Sequence, residues 1–150
     1  MSRESERLVV TAHFAATFAA NWPTMPVAWP NHEFTTPSNT MFAVFNLVDR
    51  GTTRQTIGLN YVKRHRATVQ VDVYTPLGQG TKQSRLVADV LESVYDTLDL
   101  VTSDGELVAF RTPSARDVAG NESRASNLED NWGRIIVECP YERQEIVDKT

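Results

Sequence analysis

The 150-residue chain has one cysteine, Cys139, and a formal net charge of −4, which argues against a disulfide framework and against nucleic-acid binding through bulk charge. A domain of this length buries roughly 68 to 70% of its unfolded surface and needs no metal or disulfide to fold. The sequence has no run of 18 apolar residues and no convincing signal-peptide core, so we expect one soluble domain, residues 1–150, made in a reducing cytoplasm.

The first predicted element is a helix over residues 5–20, with Glu4 and Glu6 near the start, where the helix macrodipole favours negative charge. Its small and apolar residues recur at spacings of three and four, which predicts a narrow, alanine-rich packing face. That face consists of Leu8, Ala12, Ala15, Ala16 and Ala19.

Residues 21–40 hold four of the seven prolines and two of the three tryptophans. Each proline fixes its own φ and disfavours the α region for the residue before it, so the segment is predicted to be an extended arm. Trp29 and Phe34 are residue types that bury, and we expect both to be anchored. The pattern leaves open whether the arm covers its own sheet, which is the commoner outcome, or packs on a neighbouring subunit.

The segment after the arm is predicted to form β-strands. Residues 41–48 form an apolar run that predicts a buried strand, and residues 49–51 predict the turn that ends it. Residues 55–61, interrupted by Gly58, are a candidate hairpin partner. The clearest strand covers residues 66–75, where small and branched apolar residues alternate with polar ones. Its predicted core face is Ala67, Val69, Val71 and Val73.

The second half predicts one helix and two strands. Thr81 is a candidate N-cap for a helix from Lys82 to about Asp99. The core stripe of this helix is Val87, Val90, Leu91, Val94 and Leu98. Residues 107–111 and 132–139 read as strands, separated by a polar surface loop over residues 112–131. The chain therefore predicts an α+β domain with a mainly antiparallel sheet, helices packed on one face, and the extended arm.

No constellation of residues predicts chemistry. His13, His32 and His65 have no carboxylate or cysteine at a spacing typical of a ligand pair or a catalytic dyad. The glycines of residues 78–80 lack the spacing of a phosphate-binding loop and fit a strand-to-helix turn instead. We therefore expect no enzyme activity, no metal and no cofactor.

A basic cluster, residues 63–66, stands out from the acidic chain, and Arg54 is expected across a hairpin from it. A solvated strand end is the ordinary interpretation. The alternatives are contact with DNA and contact with acidic groups of another subunit, such as those on the polar face of the second helix. The hypothetical subunit or tube interface consists of Trp29, Phe34, Arg54, Lys63, Arg64, Arg66, Asp89, Glu92 and Asp96.

Short motifs along nearly the whole chain resemble those of the tail terminator-like proteins of long-tailed phages with non-contractile tails. They are Trp-Pro-Asn at 29–31, Phe-Thr-Thr-Pro-Ser at 34–38, Gln-Thr-Ile-Gly at 55–58, Val-Tyr-Thr-Pro-Leu-Gly-Gln-Gly at 73–80, and a strand from Trp132 that ends in Cys-Pro-Tyr at 139–141. The chain departs from the family near Arg66 and Ala67, where a small residue, often glycine, is usual. This departure puts a local bulge in doubt.

The resemblance implies an α+β subunit that assembles as a ring, commonly a hexamer, on the end of the completed tail tube. The ring would stop tube growth and form the surface that joins the head. The implied partners are further copies of the chain, the tail tube protein, a head-completion or neck protein, and phage DNA that passes through the lumen without sequence-specific binding. The implied location is the head–tail junction of the virion, after synthesis in the cytoplasm of the bacterial host.

Two other functions stay open. One is a head-completion or neck connector protein, which also forms rings. The other, from a different class, is a small α+β ligand-binding or enzymatic domain with a pocket under the arm.

Overall fold

The sheet of this protein is built on three long strands, and two helices pack on it. The computed structural model describes residues 2–37, 39–76, 82–117 and 132–148. In chain order the elements are α1 (Ser2–Asn21), β1 (Val27–Ala28), β2 (Phe42–Arg54), β3 (Asn60–Pro76), α2 (Lys82–Tyr95), β4 (Asp99–Val101), β5 (Leu107–Phe110), β6 (Ser114–Asp117) and β7 (Trp132–Asp148). The strand order is β1-β2-β3-β7-β5-β4, with β6 paired to β7. These pairings are antiparallel except that of β1 with β2.

Both helices cover the same face of the sheet. Val69, Val71 and Val73 of β3 are fully buried on that face, as their alternation with polar residues predicts. Phe14 of α1 stacks on Tyr95 of α2 with ring centroids 3.9 Å apart, so the two helices meet over the sheet. The predicted α+β fold, with a mainly antiparallel sheet and helices on one face, is confirmed.

Helix α1 packs through a different face from the predicted one. Val10, Phe14 and Phe18, at spacings of four, are buried, whereas Leu8 is 53% exposed and the alanine-rich stripe faces solvent. Larger side chains remove more apolar area from water, so the aromatic stripe is buried in preference to the alanine stripe. The predicted packing face is wrong.

Strand β2 does not end at the predicted turn. Gly51 has a φ of 110°, and the pairing with β3 shifts register between Asp49 and Gly51, which marks a β-bulge rather than a turn. The strand continues to Arg54. Residues 55–59 connect β2 to β3, so the prediction of a partner strand over residues 55–61 is also wrong. Glycine is typical of both turns and bulges, and only the pairing distinguishes them.

The later elements differ from the predictions mainly at their ends. Helix α2 ends at Tyr95, earlier than predicted, and Thr97 after it has a left-handed φ of 56°. Strand β7 runs past Pro140 to Asp148. Because Arg111 N–H donates to Pro140 O at 2.8 Å, the backbone groups of Pro140 face away from β3, and its missing N–H breaks no bond with that strand.

The polar loop predicted over residues 112–131 contains strand β6. Its residues 118–131 lie outside the described residues, as do the predicted N-cap Thr81 and the glycine turn at 78–80.

Residues 22–37 fold back on the sheet of their own chain. Met25 N–H donates to Trp22 O at 3.1 Å and His32 N–H donates to Trp29 O at 3.3 Å, so two turns interrupt the segment. Between these turns, Val27–Ala28 pair with β2. The large apolar side chains of the segment pack, partly buried, against the core. An extended arm is therefore not confirmed.

Candidate assembly surface

The distal parts of β2, β3 and β7 form a three-stranded blade, which consists of residues 51–66 and 142–148. Residues 51–60 are all exposed. At the tip of the blade, Ile57 is 96% exposed and Leu59 is 64% exposed, while Ile146 on the adjacent β7 is 81% exposed. Apolar groups clustered on a surface mark sites that bind something. The blade tip is therefore the first candidate contact surface.

Arg54 braces the connection at the blade tip. Its Nη2 donates to Gly58 O at 2.6 Å and its Nε donates to Thr56 O at 2.9 Å. Its guanidinium carbon lies 4.0 Å from the centre of the Tyr61 ring, close enough for a cation–π contact. Arg54 therefore shapes the tip from within its own chain, and a role for it at an interface stays a prediction.

The basic cluster lies in the body of β3, between β2 and β7, rather than at a strand end. Arg64 and Arg66 face Glu142 of β7 at 3.4 and 3.7 Å, and His65 Nε2 lies 2.8 Å from Glu145 Oε2. The hydrogen bond with His65 holds the pKa of Glu145 below its ordinary value. The cluster thus has acidic partners in its own chain, which only the strand pairing reveals.

The remaining cation of the cluster, Lys63, makes a weaker contact. Its Nζ lies 5.7 Å from the centre of the Tyr61 ring. Lys63 and the arginines of the cluster are half-buried or exposed, so their contact with a second subunit stays a prediction.

The second predicted charged surface is the polar face of α2. Asp89 and Asp96 are exposed and Glu92 is half-buried. Among the residues that the structure describes, none of these three carboxylates forms an ion pair. The structure therefore does not bring them to the basic cluster of the same chain, and it leaves them accessible to a partner.

The two predicted aromatic anchors lie on opposite faces of the sheet. Trp29 packs beside Phe45 and Phe18 on the helix face, with ring centroids 5.0 and 6.3 Å away. Phe34 packs beside Phe42, with ring centroids 5.5 Å apart, on the other face. Both side chains are half-buried, so each keeps an accessible part that a second subunit can contact.

A buried charged network, which the sequence did not predict, fixes the base of the blade. Arg143 of β7 is 1% exposed. Its Nε donates to Glu6 Oε1 of α1 at 2.6 Å, and its Nη1 donates to Glu106 Oε2 at 2.5 Å. Tyr141 Oη donates to the second oxygen of Glu6 at 2.6 Å. The network joins α1, β7 and the connection between β4 and β5.

Opposing effects act on the pKa of Arg143. Burial lowers the pKa, but the hydrogen bonds to Glu6 and Glu106 outweigh burial, so the pKa is raised and the guanidinium stays charged. Burial and the hydrogen bond to Glu6 raise the pKa of Tyr141, which keeps its hydroxyl protonated as a donor. The network therefore reads as a structural brace, in which the charged Arg143 and the protonated Tyr141 both donate to Glu6.

The described chain has three further features that bear on its chemistry. It contains no group of three His, Cys, Asp or Glu side chains placed to hold a metal ion. None of its helices is long and apolar enough to cross a membrane. Burial raises the pKa of the Cys139 thiol to about 12, so this thiol is protonated and unreactive at neutral pH.

An open groove of about 610 Å³ borders β2. It is lined by Phe45, Asn46 and Leu47 of β2, by Arg7 and Thr11 of α1, and by residues 29–32. The walls combine aromatic and aliphatic side chains with the polar side chains of Arg7, Thr11, Asn31, His32 and Asn46. This composition suits an extended peptide better than a reacting small molecule.

The family model of the phage tail terminator protein matches residues 8–132. The chain belongs to the phage tail terminator protein family. Membership of this family supports a structural role in the phage tail. Among solved structures, a protein whose name states no function has 25% identity to the chain and a TM-score of 0.68, and the match covers 97% of each chain. No curated protein matches the sequence.

The tail terminator match contains most of the candidate surfaces. It includes Trp29, Phe34, the β2–β3 half of the blade and the acidic face of α2, and it ends at the first residue of β7. The β7 half of the blade lies beyond the matched residues. The match with the solved structure extends over nearly the whole chain, so it supports the fold of this half as well.

Proposed function

We propose that this protein forms a ring, with six subunits as the expected number, on the end of the phage tail tube. The ring ends tube polymerisation and provides the surface that joins the head. Its partners are other copies of the chain, the tail tube protein on one side and a head-completion or neck protein on the other. DNA passes through the lumen without being read by sequence, and the protein is not an enzyme.

The observation that carries this proposal is the exposed blade tip on a chain of the tail terminator family. Ile57 and Leu59 are held outwards by a braced connection, so their exposure is built into the fold. Burying a large aliphatic side chain is worth about 1.5 to 3 kcal/mol, and a ring repeats that gain at every subunit. A contact surface of this kind fits a protein that assembles.

Separated charges on the same chain support a head-to-tail arrangement. The basic cluster on the blade and the carboxylates of α2 lie on different parts of the subunit, and the carboxylates have no ion-pair partner in the described chain. When two different surfaces of identical subunits meet, the contact is heterologous and closes into a ring if the rotation permits. Contact between these two surfaces remains part of the proposal.

Electron microscopy and mass measurement of the purified protein, alone and with tail tubes, test the ring. We expect a ring with a central opening on the tube end. Ile57→Ser with Leu59→Ser should reduce ring formation or tube capping without unfolding the subunit. The matched control is Leu107→Ser, which removes an aliphatic side chain that is 46% exposed on β5. A subunit that stays monomeric in the presence of tubes would contradict the proposal.

A further inference from the structure

We propose that the subunits join by sheet extension: the free edge of β7 in one copy adds, in parallel, to the free edge of β2 in the next copy. This inference rests on the proposed ring and names the surface that would build it. The blade then becomes a segment of a sheet that continues from subunit to subunit.

The first free edge belongs to β2. Strand β1 covers only Ala43 and Val44, and Ala43 N–H donates to Pro26 O at 3.0 Å. Since backbone groups alternate in direction along a strand, Phe45, Leu47 and Asp49 also point their N–H and C=O groups to this outer side. The pairing of Ala28 with Val44 places Phe45 N–H against Ala28 O, and no strand of the described chain pairs with this side of β2 after Phe45.

The same edge continues beyond the bulge. Gln55 N–H donates to Val62 O at 2.7 Å, so the backbone groups of Gln55 point towards β3. By alternation, Thr53 bonds inwards as well, while Thr52 and Arg54 present their backbone groups outwards. The free edge of β2 therefore runs from Leu47 to Arg54.

The second free edge belongs to the end of β7. Strand β5 pairs with residues 141–143 of β7, and Arg111 N–H donates to Pro140 O at 2.8 Å. Even-numbered residues of β7 therefore direct their backbone groups away from β3. The pairing of Val108 with Arg143 places Gln144 N–H against Leu107 O, whereas Ile146 has no strand partner in the described residues and is 81% exposed.

The two edges are suited to one another by direction. They lie on opposite sides of the same three strands, so joining them is a heterologous contact that can close a ring. Both β2 and β7 run antiparallel to β3, so they are parallel to each other. A rotation about an axis along the strands preserves that direction, and the contact between copies is then a parallel pair.

Charge also favours this contact over a contact of two identical edges. The distal residues of β2, 50–54, contain two Arg and no Asp or Glu, whereas residues 142–148 of β7 contain three Asp or Glu and one Arg. The β2 edge of the blade is thus basic and the β7 edge is acidic, although ion pairs with the central strand β3 offset part of the acidic charge. Pairing of the β2 edge with the β7 edge of another copy places opposite charges together. Pairing of two β2 edges, or of two β7 edges, would place like charges together.

Free edges as long as that of β2 are uncommon in proteins that stay monomeric, because they template pairing with other chains. Natural sheets protect them with bulges and charged side chains. The bulge at Gly51 disturbs β2 at one point, and the edge before and after it remains regular. The groove beside Phe45–Leu47 leaves room on the helix face for the side chains of an added strand.

Cysteine pairs on the two edges test the contact. Thr53, Gln144 and Ile146 all lie on the face opposite the helices, because Thr53 and Gln144 both pair with Arg64, and Ile146 follows Gln144 by two residues. We expect Thr53→Cys combined with Gln144→Cys, or with Ile146→Cys, to give under mild oxidation a ladder of covalent species that ends at the full ring. Each single variant is the control and should give dimers at most. The natural Cys139 is buried and does not interfere.

Hydrogen exchange at the backbone amides of β2 gives a second test, which needs no substitution. Hydrogen exchange at Leu47 and Thr52 should slow by about tenfold or more on assembly, whereas Val48 and Thr53, already bonded to β3, should change little. Rings that show neither the ladder nor this alternation contradict sheet extension and leave the proposed ring intact. The absence of rings on tube ends contradicts both. Protection that appears only after tail tube protein is added would assign the β2 edge to a strand of that partner, against the inference.

Discussion

Arg143 of β7 and Glu6 of α1 form a buried ion pair at the base of the blade, with Nε 2.6 Å from Oε1. The guanidinium also bonds Glu106 and lies 3.8 Å from Glu145, so it is hydrogen-bonded to two carboxylates from different parts of the chain and close to a third. This pair ties β7 to α1 at the point where the distal part of β7 leaves the core. The position of the proposed contact edge therefore depends on it.

Arg143→Leu should reduce the free energy of unfolding by about 3 to 5 kcal/mol, because it leaves two carboxylates without their buried partner. Urea unfolding followed by circular dichroism measures this. The matched control is Arg3→Leu, which breaks the exposed pair with Asp49 and should cost less than about 1 kcal/mol. Equal losses in the two variants would show that the buried network does not brace the fold.

Stability should fall as the pH drops below about 6.5, and His13 is one cause. Burial lowers the pKa of His13 from 6.5, so the unfolded chain takes up a proton before the folded chain does. The stabilising effect is complete above the unfolded pKa and is lost as the pH falls through the folded pKa.

The unfolding free energy measured from pH 7.5 to pH 5 tests this dependence. His13→Gln should flatten the curve, because it removes the titrating group, whereas His32→Gln, at an exposed site, should leave the curve unchanged. A His13→Gln curve parallel to that of the parent protein would assign the pH dependence to other groups.

Trp29→Ala should cost about 2 kcal/mol, less than the roughly 3 to 5 kcal/mol expected for a fully buried aromatic side chain. Trp29 is half-buried against Phe45 and Phe18, whereas Phe14, the matched control, is fully buried. Phe14→Ala should therefore be the more damaging change in urea unfolding. The reverse order would mean that Trp29 contributes more to the core than its packing indicates.

Reversing two exposed charges, Asp89→Lys on α2 with Asp96→Lys directly after its end, should change the unfolding free energy by less than about 0.5 kcal/mol. Neither carboxylate has an ion-pair partner in the described chain. If this face meets the basic cluster of a neighbour, ring assembly should weaken in the variant. Assembly of the parent should then also weaken with rising salt, since screening shortens the reach of charges to about 8 Å at physiological ionic strength.

Sedimentation at low and high salt measures this effect. Glu33→Lys, which reverses an exposed charge elsewhere, is the control. If the double variant and the Glu33→Lys control assemble equally well at both salt concentrations, the acidic face of α2 does not form part of the interface.

Patterns with a short period could be predicted from the sequence. The alternation in Val69, Val71 and Val73 fixed the core face of β3, because strand geometry sends successive side chains to opposite faces. Helical spacing was less decisive for α1, which has two stripes at that spacing. The choice between Phe14 and the alanines depended on how much area each could bury.

Features that depend on distant strand pairing could not be predicted. Gly51 has the local signature of a turn, and only its pairing with β3 shows a bulge. Glu6 and Arg143 are separated by 137 residues, and a charged residue carries no local sign of burial. The free edges of β2 and β7 follow from the strand order, which no motif in the chain specifies.

Electron microscopy of tails assembled by a phage that lacks this protein tests its proposed role as the tail terminator. We expect tail tubes of uncontrolled length without heads, and restoration of uniform, head-joined tails when the protein is supplied. Tails of normal length beside unjoined or leaking heads would contradict it and would point to a neck connector.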